Sequence, residues 1–483
     1  MTTSSARRTL IGGAALAAAL ALALGGAVPA AVAEHGDGRG PAHDEWRALA
    51  PAGEPESNPL KGFIPFAGDY PDFPHSMEWS YFPLNAVMTG PSTFDWTTVE
   101  ATLDEVAARG HQTTMRFYLD YPQRESGIPQ FLLDGGLETY PYTEFGNSTS
   151  VIPDYDDPNL IAALDAFVAE FGARYDGDPR LGFVQAGLIG FWGEWHTWPY
   201  NGEAGLPDRM PTAEHQADVL ADFIDAFEET DIEVRYPSAA NANLDVGYHD
   251  DSFALTTKPS PYGWYFMDQM IAAGATEKWK TNSIGGELRP ELQSCIFSEA
   301  GCPVIQEGGD NDFAGSVEVT HASWLINHYA FATGYTGADR QRAIDGARSL
   351  GYSLRVVEAA VEAPPRRGDR DDRDDRLDVA IAVENVGIAP FAYDWPITIA
   401  LADSRGRVVE QWTSPWTLDQ VASGEQVRFE GDFGTSGVRP GRYTVLVQGT
   451  NPLATGQPVR FANADQDASV DGWLSIGSTV LTR

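Results

Sequence analysis

Strand-like and helix-like segments alternate over about 300 residues of this chain, and that alternation constrains the fold more than any other feature. Residues 60–69 are strand-like, and residues 97–110 form an amphipathic helix that ends on Gly110. A strand over 111–122 follows, then a helix with a turn after it over 158–180. Residues 181–199 predict one long apolar strand that closes in a burst of functional residue types. Further on the pattern predicts helix over 212–229, strands over 232–237 and 252–257, helix over 267–280, and strand over 282–291. A last clear helix is expected over 317–330. No Gly-rich phosphate fingerprint follows any of these strands, which argues against a nucleotide-binding sheet. The expected fold is a (β/α)8 barrel over 55–350.

After the barrel the pattern changes. Residues 352–363 and 376–387 alternate like strands, and between them Pro364, Pro365 and the mixed-charge tract to Arg376 offer nothing to pack. A disordered, solvated hairpin loop is expected over 364–376. Short alternating runs at 397–403, 425–433 and 442–449 are separated by turn signals such as Ser423-Gly424 and Pro440-Gly441. That spacing predicts a smaller all-β sandwich, an accessory domain spanning 351–483.

The N-terminus reads as a removable export signal. Arg7 and Arg8 precede an apolar run from Leu10 to Val28 that closes on Ala31-Val32-Ala33. A signal peptide over 1–33 and a flexible, polar lead-in over 34–54 are expected, with Sec or twin-arginine export and a secreted protein that does not insert into membrane. The net charge of −37 makes nucleic acid and anionic lipid poor partners. The two cysteines, Cys295 and Cys302, lie close enough to form one local disulfide in an oxidising compartment.

In such a barrel the chemistry lies at the C-terminal ends of the strands. Candidate groups there are Arg116 with Tyr118 and Asp120; Trp192, Glu194, Trp195, His196 and Trp198; Arg235 with Tyr236; Lys258 with Tyr262 and Trp264; and Glu287 with Arg289. Glu194 sits between Trp192 and Trp195, where desolvation would keep it protonated, and Trp192, Trp195 and Trp198 offer flat faces for sugar rings. Glu287 follows Gly285-Gly286 where the seventh strand should end, with Arg289 placed to hold it ionised; Glu291 and Glu307 are rivals. One neutral and one charged carboxyl are what glycosidic hydrolysis needs. Arg116, Arg235, His196 and Tyr118 would bind or orient, or simply be structural. The acidic group Glu307, Asp310, Asn311 and Asp312 lacks the regular oxygen ladder of a calcium loop.

The motif Phe191-Trp192-Gly193-Glu194-Trp195-His196, with Asn58-Pro59-Leu60-Lys61-Gly62-Phe63 at the first strand, resembles a family of secreted bacterial proteins without an assigned function. Glu384-Asn385-Val386-Gly387 and Ala389-Pro390-Phe391 extend that likeness into the sandwich. More distantly, a Glu after strand four and a Glu after strand seven is similar to the retaining (β/α)8 glycoside hydrolases. That resemblance implies Glu194 as acid/base and Glu287 as nucleophile. It departs at Gly193, where the clan usually has an Asn that binds the sugar's 2-hydroxyl. The expected function is cleavage of an oligo- or polysaccharide without metal or organic cofactor. The alternatives are a non-catalytic glycan-binding or cell-surface protein and, more remotely, a lyase or deacetylase.

Overall fold

The computed structural model describes residues 46–202, 205–305, 308–309, 311–363 and 376–482. Eight parallel strands form one sheet: β1 Gly62–Ile64, β2 Met77–Pro83, β3 Gln112–Tyr118, β4 Leu181–Gln185, β5 Ile232–Val234, β6 Gly247–Phe253, β7 Ile284–Leu288 and β8 Trp324–Ile326. Neighbours in sequence are neighbours in space, and β8 pairs with β1. The ring closes where Phe66 bridges to Trp79, with Ala67 N donating to Trp79 O at 2.8 Å. The molecule is therefore a (β/α)8 barrel followed by antiparallel sheets.

Six helices of eight residues or more lie among the described residues: α1 Thr97–Ala108, α2 Pro158–Tyr175, α3 Ala213–Ala226, α4 Phe266–Ala273, α5 Phe313–Thr320 and α6 Gly337–Arg348. The connections β1–β2 and β5–β6 carry no helix. α2 shows why the pattern was readable. The Asp157 carboxylate accepts from the backbone N–H of Asn159 and Leu160, Pro158 fits the first turn, and Leu160, Leu164, Phe167, Val168, Phe171 and Tyr175 bury one stripe.

Three expectations shift. Of 181–199 only Leu181–Gln185 is strand; the rest is a folded loop. The strand expected at 252–257 lies earlier, at Gly247–Phe253. The helix expected over 317–330 ends at Thr320, and its second half contains β8. Trp324-Leu325-Ile326 is apolar at every position because the eighth strand is covered on both faces, so helix and strand periods could not be told apart there.

The strands that follow the barrel are β9 Leu354–Glu362, β10 Arg376–Asn385, β11 Pro396–Ala402, β12 Val408–Thr417, β13 Gln426–Gly434, β14 Gly441–Gly449 and β15 Leu474–Leu481. They form two antiparallel sheets, β9-β10-β13 and β12-β11-β14-β15. β9 and β10 pair from Leu354↔Asn385 to Glu362↔Asp378; residues 364–375, expected to loop between them, lie outside the described residues. The described end of the expected flexible lead-in instead packs on the sandwich: Arg47–Ala48 adds a strand beside β9, and Leu49 is buried.

One apolar cluster joins the sandwich to the floor of the barrel, running from Trp395 and Phe391 to Phe183, Trp324 and Trp79. Tyr393 is the plug. Its ring lies 6.1 Å from that of Phe183, its hydroxyl donates to Gly182 O, and it accepts from Asp231 N at 3.1 Å. Tyr393→Phe should therefore lower stability by about 1–3 kcal/mol, because a buried carbonyl and an amide each lose a partner. A urea titration checks it: the midpoint should fall with the slope unchanged, and an unmoved midpoint would mean the plug contributes packing alone.

Candidate functional site

Inside the barrel the packing changes character from floor to mouth. Trp79 and Trp324 stack at 6.0 Å, and Phe183 stacks on Trp324 at 5.9 Å. Above them the buried Glu233 accepts from Trp324 Nε1 at 3.0 Å, Ser283 Oγ at 2.8 Å and Gln185 Nε2 at 3.1 Å. Burial pushes the Glu233 carboxyl up to about 8, so this acid is a neutral rung rather than a charge. Gln185 Oε1 in turn accepts from Arg116 Nε at 2.9 Å.

Arg116, only 1 % exposed, is the hub of the next layer. Its guanidinium donates to Asp251 Oδ2 at 2.7 Å and Glu194 Oε1 at 3.2 Å, and reaches Tyr81 OH at 3.3 Å. His249 Nδ1 lies 2.9 Å from Asp251 Oδ1. Burial holds the His249 imidazole down at about 4, hence neutral at physiological pH. Burial opposes the charge of Asp251, but His249, Arg116 and Arg235 outweigh it and hold this carboxyl well below the ordinary range. Arg235 pairs with Asp250 at 3.4 Å and donates to His249 O at 3.2 Å.

The loop after β4 presents Glu194. Asp120 braces it from behind: its carbonyl accepts from Trp192 N at 2.9 Å, while its carboxyl accepts from Tyr142 OH and Ser150 Oγ. Burial pushes that carboxyl up to about 7. Within the loop Trp195 N donates to Ile189 O and Phe191 N to His196 O, both at 2.9 Å. Gly193 has φ of 71°, and a Cβ there would stand 2.8 Å from Phe117 O. That close approach to β3 is what brings the Trp192 carbonyl and Glu194 onto Arg116, and an asparagine could not take this place.

Glu287, at the end of β7, faces the same space. Its one direct hydrogen bond among the described residues is from Gln293 Nε2 at 3.3 Å. Arg289 does not hold it ionised as expected, because that guanidinium is taken by Glu291, with Nε 2.6 Å from Oε2. Burial, reinforced by the charges of Asp251 and Glu194, pushes Glu287 up to about 8. The two carboxyls thus differ in the opposite sense from the sequence expectation: Glu287 is the protonated one, and Glu194 is the one ion-paired to an arginine.

These groups open into a cavity of about 1640 Å³ at the C-terminal ends of the strands. Its walls include Glu194, Asp251, Glu287, Arg235 and the aromatic rings of Trp192, Trp195, Trp198, Tyr236 and Trp264. Trp198 and Trp264 stand at the rim with 55 % and 51 % of their surface exposed. Of the expected residues, His196, Arg289 and Glu291 also line the cavity, and His196 Nε2 lies 3.6 Å from Glu194 Oε2. Arg116 stands beneath it. Tyr118 is buried edge-on against Tyr81 and Tyr121 and does not line it. Lys258 pairs with Asp312, whose carboxylate also caps α5, and Tyr262 is exposed outside the cavity. Glu307 and Asp310 lie outside the described residues. The expected disulfide joins Cys295 and Cys302 in the loop after β7.

Sequence reasoning missed Tyr81, Gln185, Glu233, His249 and Asp251. A period-two pattern in Met77, Trp79 and Tyr81 marks β2, but in β6 the run His249-Asp250-Asp251 carries no apolar alternation, because its inward positions belong to the polar site.

No family model matches the chain, and no curated protein matches it. Among solved structures it is similar to endo-glycoceramidase II from Rhodococcus sp., with 14 % identity over 77 % of this chain and 96 % of that one and a TM-score of 0.34. It is also similar to the catalytic domain of β-amylase from Paenibacillus polymyxa, with 10 % identity over 56 % and 91 % of the two chains and a TM-score of 0.36. An endoglucanase from Pseudomonas stutzeri matches with 10 % identity over 56 % and 81 % and a TM-score of 0.31.

Proposed function

We propose that this chain is an exported glycoside hydrolase that cleaves a neutral glycan with Glu194 and Glu287. The observation that carries the reading is one aromatic-walled cavity in which a protonated carboxyl, Glu287, faces a carboxylate paired with a buried arginine, Glu194. Exposed Trp198 and Trp264 supply flat apolar faces at the rim, where sugar rings stack. Among the described residues the cavity's arginines already have acidic partners, Arg235 with Asp250 and Arg289 with Glu291, which favours an uncharged sugar over an acidic one. The Cys295–Cys302 bridge supports work outside the cytoplasm.

The charges set the roles in this reading. Glu287 gives its proton to the glycosidic oxygen as the bond to the anomeric carbon breaks, and a Glu194 oxygen bonds to that carbon. Water then attacks the anomeric carbon, Glu287 takes the water's proton, and Glu194 leaves with its electron pair. The configuration is retained. The clan resemblance assigns the two roles the other way round, and the pH profile separates them. Because kcat/KM reports the free enzyme, Glu287 as acid predicts a rate that falls as pH rises through about 8. Were Glu287 the nucleophile, the rate would climb through that same value.

Two outcomes are expected. Across a panel of aryl glycosides and neutral polysaccharides the protein should hydrolyse at least one substrate, with Glu194→Gln and Glu287→Gln each at least about 100-fold slower. Binding of a glycan without cleavage, unchanged in both variants, would favour a binding module instead. The second outcome concerns stability. The folded state keeps the Glu287 proton up to about 8, whereas an unfolded glutamate releases it near its ordinary value of 4.5, so this group lowers stability as pH rises between the two. Glu287→Gln lacks that loss. Its melting temperature should match the wild type near pH 4.5 and exceed it increasingly up to pH 8; a gap that does not grow with pH would contradict the burial argument.

A further inference from the structure

A second cluster of chemistry-bearing residues lies away from the cavity, at the starts of β2 and β3. His75, Glu78 and His111 each offer one ligand atom, and the three atoms lie within 4.8 Å of one another. Glu78 is fully buried, His75 is 8 % exposed, and the His111 side chain 12 %. The two imidazole rings are 4.2 Å apart between centroids.

The hydrogen bonds around His75 are those of a ligand rather than of a packed core histidine. His75 Nδ1 lies 2.9 Å from Phe73 O, and a carbonyl can only accept, so Nδ1 carries the proton. In the neutral ring that leaves a lone pair on Nε2, which is buried and has no hydrogen-bond partner among the described residues. A carbonyl fixing one ring nitrogen while the other stays bare is how proteins orient metal-binding imidazoles. Glu78 is likewise held in place, by Gly68 N at 2.8 Å and His111 Nδ1 at 2.8 Å. The positive charge in this pocket is supplied by Arg109, whose Nε and Nη2 reach the Glu78 oxygens at 2.8 and 2.6 Å. Arg109 is a quarter exposed, and Glu105 and Asp69 are near enough to act on its charge, so it has acidic partners to turn to.

We infer that His75, Glu78 and His111 form a non-catalytic site for a divalent transition-metal ion of the Zn²⁺ type, whose place Arg109 holds in the metal-free protein. Two imidazoles and a carboxylate are a donor set that Zn²⁺ accepts. The donors must draw together to about 3.4 Å, the separation set by metal–nitrogen bonds of about 2.1 Å in a tetrahedron. As the metal enters, Arg109 leaves Glu78 for Asp69 or Glu105; no covalent bond is made or broken in the chain.

The test is Zn²⁺ titration of the purified protein in competition with a chromophoric chelator. The site predicts one Zn²⁺ bound at least about 10-fold more weakly in His75→Asn and in His111→Asn, and at least about 10-fold more tightly in Arg109→Gln. Equal affinity in the wild type and all three variants would overturn it. Should a variant fail to fold, the wild type decides. The first equivalent of Co²⁺ must shift the ring resonances of His75 and His111 in the NMR spectrum, and a first equivalent found at other histidines overturns the site.

Discussion

The structure of the cavity depends on one buried guanidinium. Arg116 rises from β3 into the barrel and binds Glu194 from the β4 loop, Asp251 from β6 and Gln185 from β4. A charge so far from water costs several kcal/mol unless its partners are close and well aligned. The partners therefore fix more than themselves: the β4 loop is tied down at Glu194 and at the Trp192 carbonyl, and β6 at Asp251. Two buried arginines, Arg116 and Arg235, serve Glu194, Asp251 and Asp250. Glu287 is left with an amide, Gln293, as its hydrogen-bond donor and with two carboxylates as neighbours, and a proton is the remaining way to neutralise it.

Much of this is legible in the sequence, and each exception has its own physical cause. Helices such as α2 carry their cap, their proline and their apolar stripe in plain order, so the alternation of strand and helix led to a barrel. Glu287 is legible because it closes a recognisable apolar strand, and Glu194 because the apolar run that begins with β4 ends in a burst of functional residue types, although a loop rather than the strand carries it. The sequence pattern places β6 too late, since its inward face holds His249 and Asp251 where a core strand would hold valine or leucine. The eighth strand was hidden for the opposite reason: Trp324-Leu325-Ile326 is apolar on both faces. Charge was the least legible property. Which carboxyl meets Arg116 and which arginine meets Glu291 follow from side-chain geometry that spacing does not encode.

The sandwich explains how such a polar interior is tolerated. Its Tyr393 and the apolar cluster around Trp395 close the floor of the barrel beneath the ionised layer. Between floor and mouth lie the stacked Trp79, Trp324 and Phe183 and then the neutral Glu233, a graded passage from apolar packing to charge. The pair Glu78–Arg109 at the starts of β2 and β3 solves the same problem differently, with its cation open to solvent on one side.

The central claim is that one proton sits on Glu287 because burial and the neighbouring charges of Asp251 and Glu194 outweigh the pull of Arg116, and direct titration of that carboxyl tests it. Carbon-13 NMR of side-chain-labelled glutamate, with Glu287→Gln to assign the resonance, gives the value without any substrate. A resonance titrating near 8 and absent from the variant is the predicted result. A Glu287 resonance titrating at or below the ordinary glutamate value of 4.5 would contradict the account and return the ionised role to Glu287.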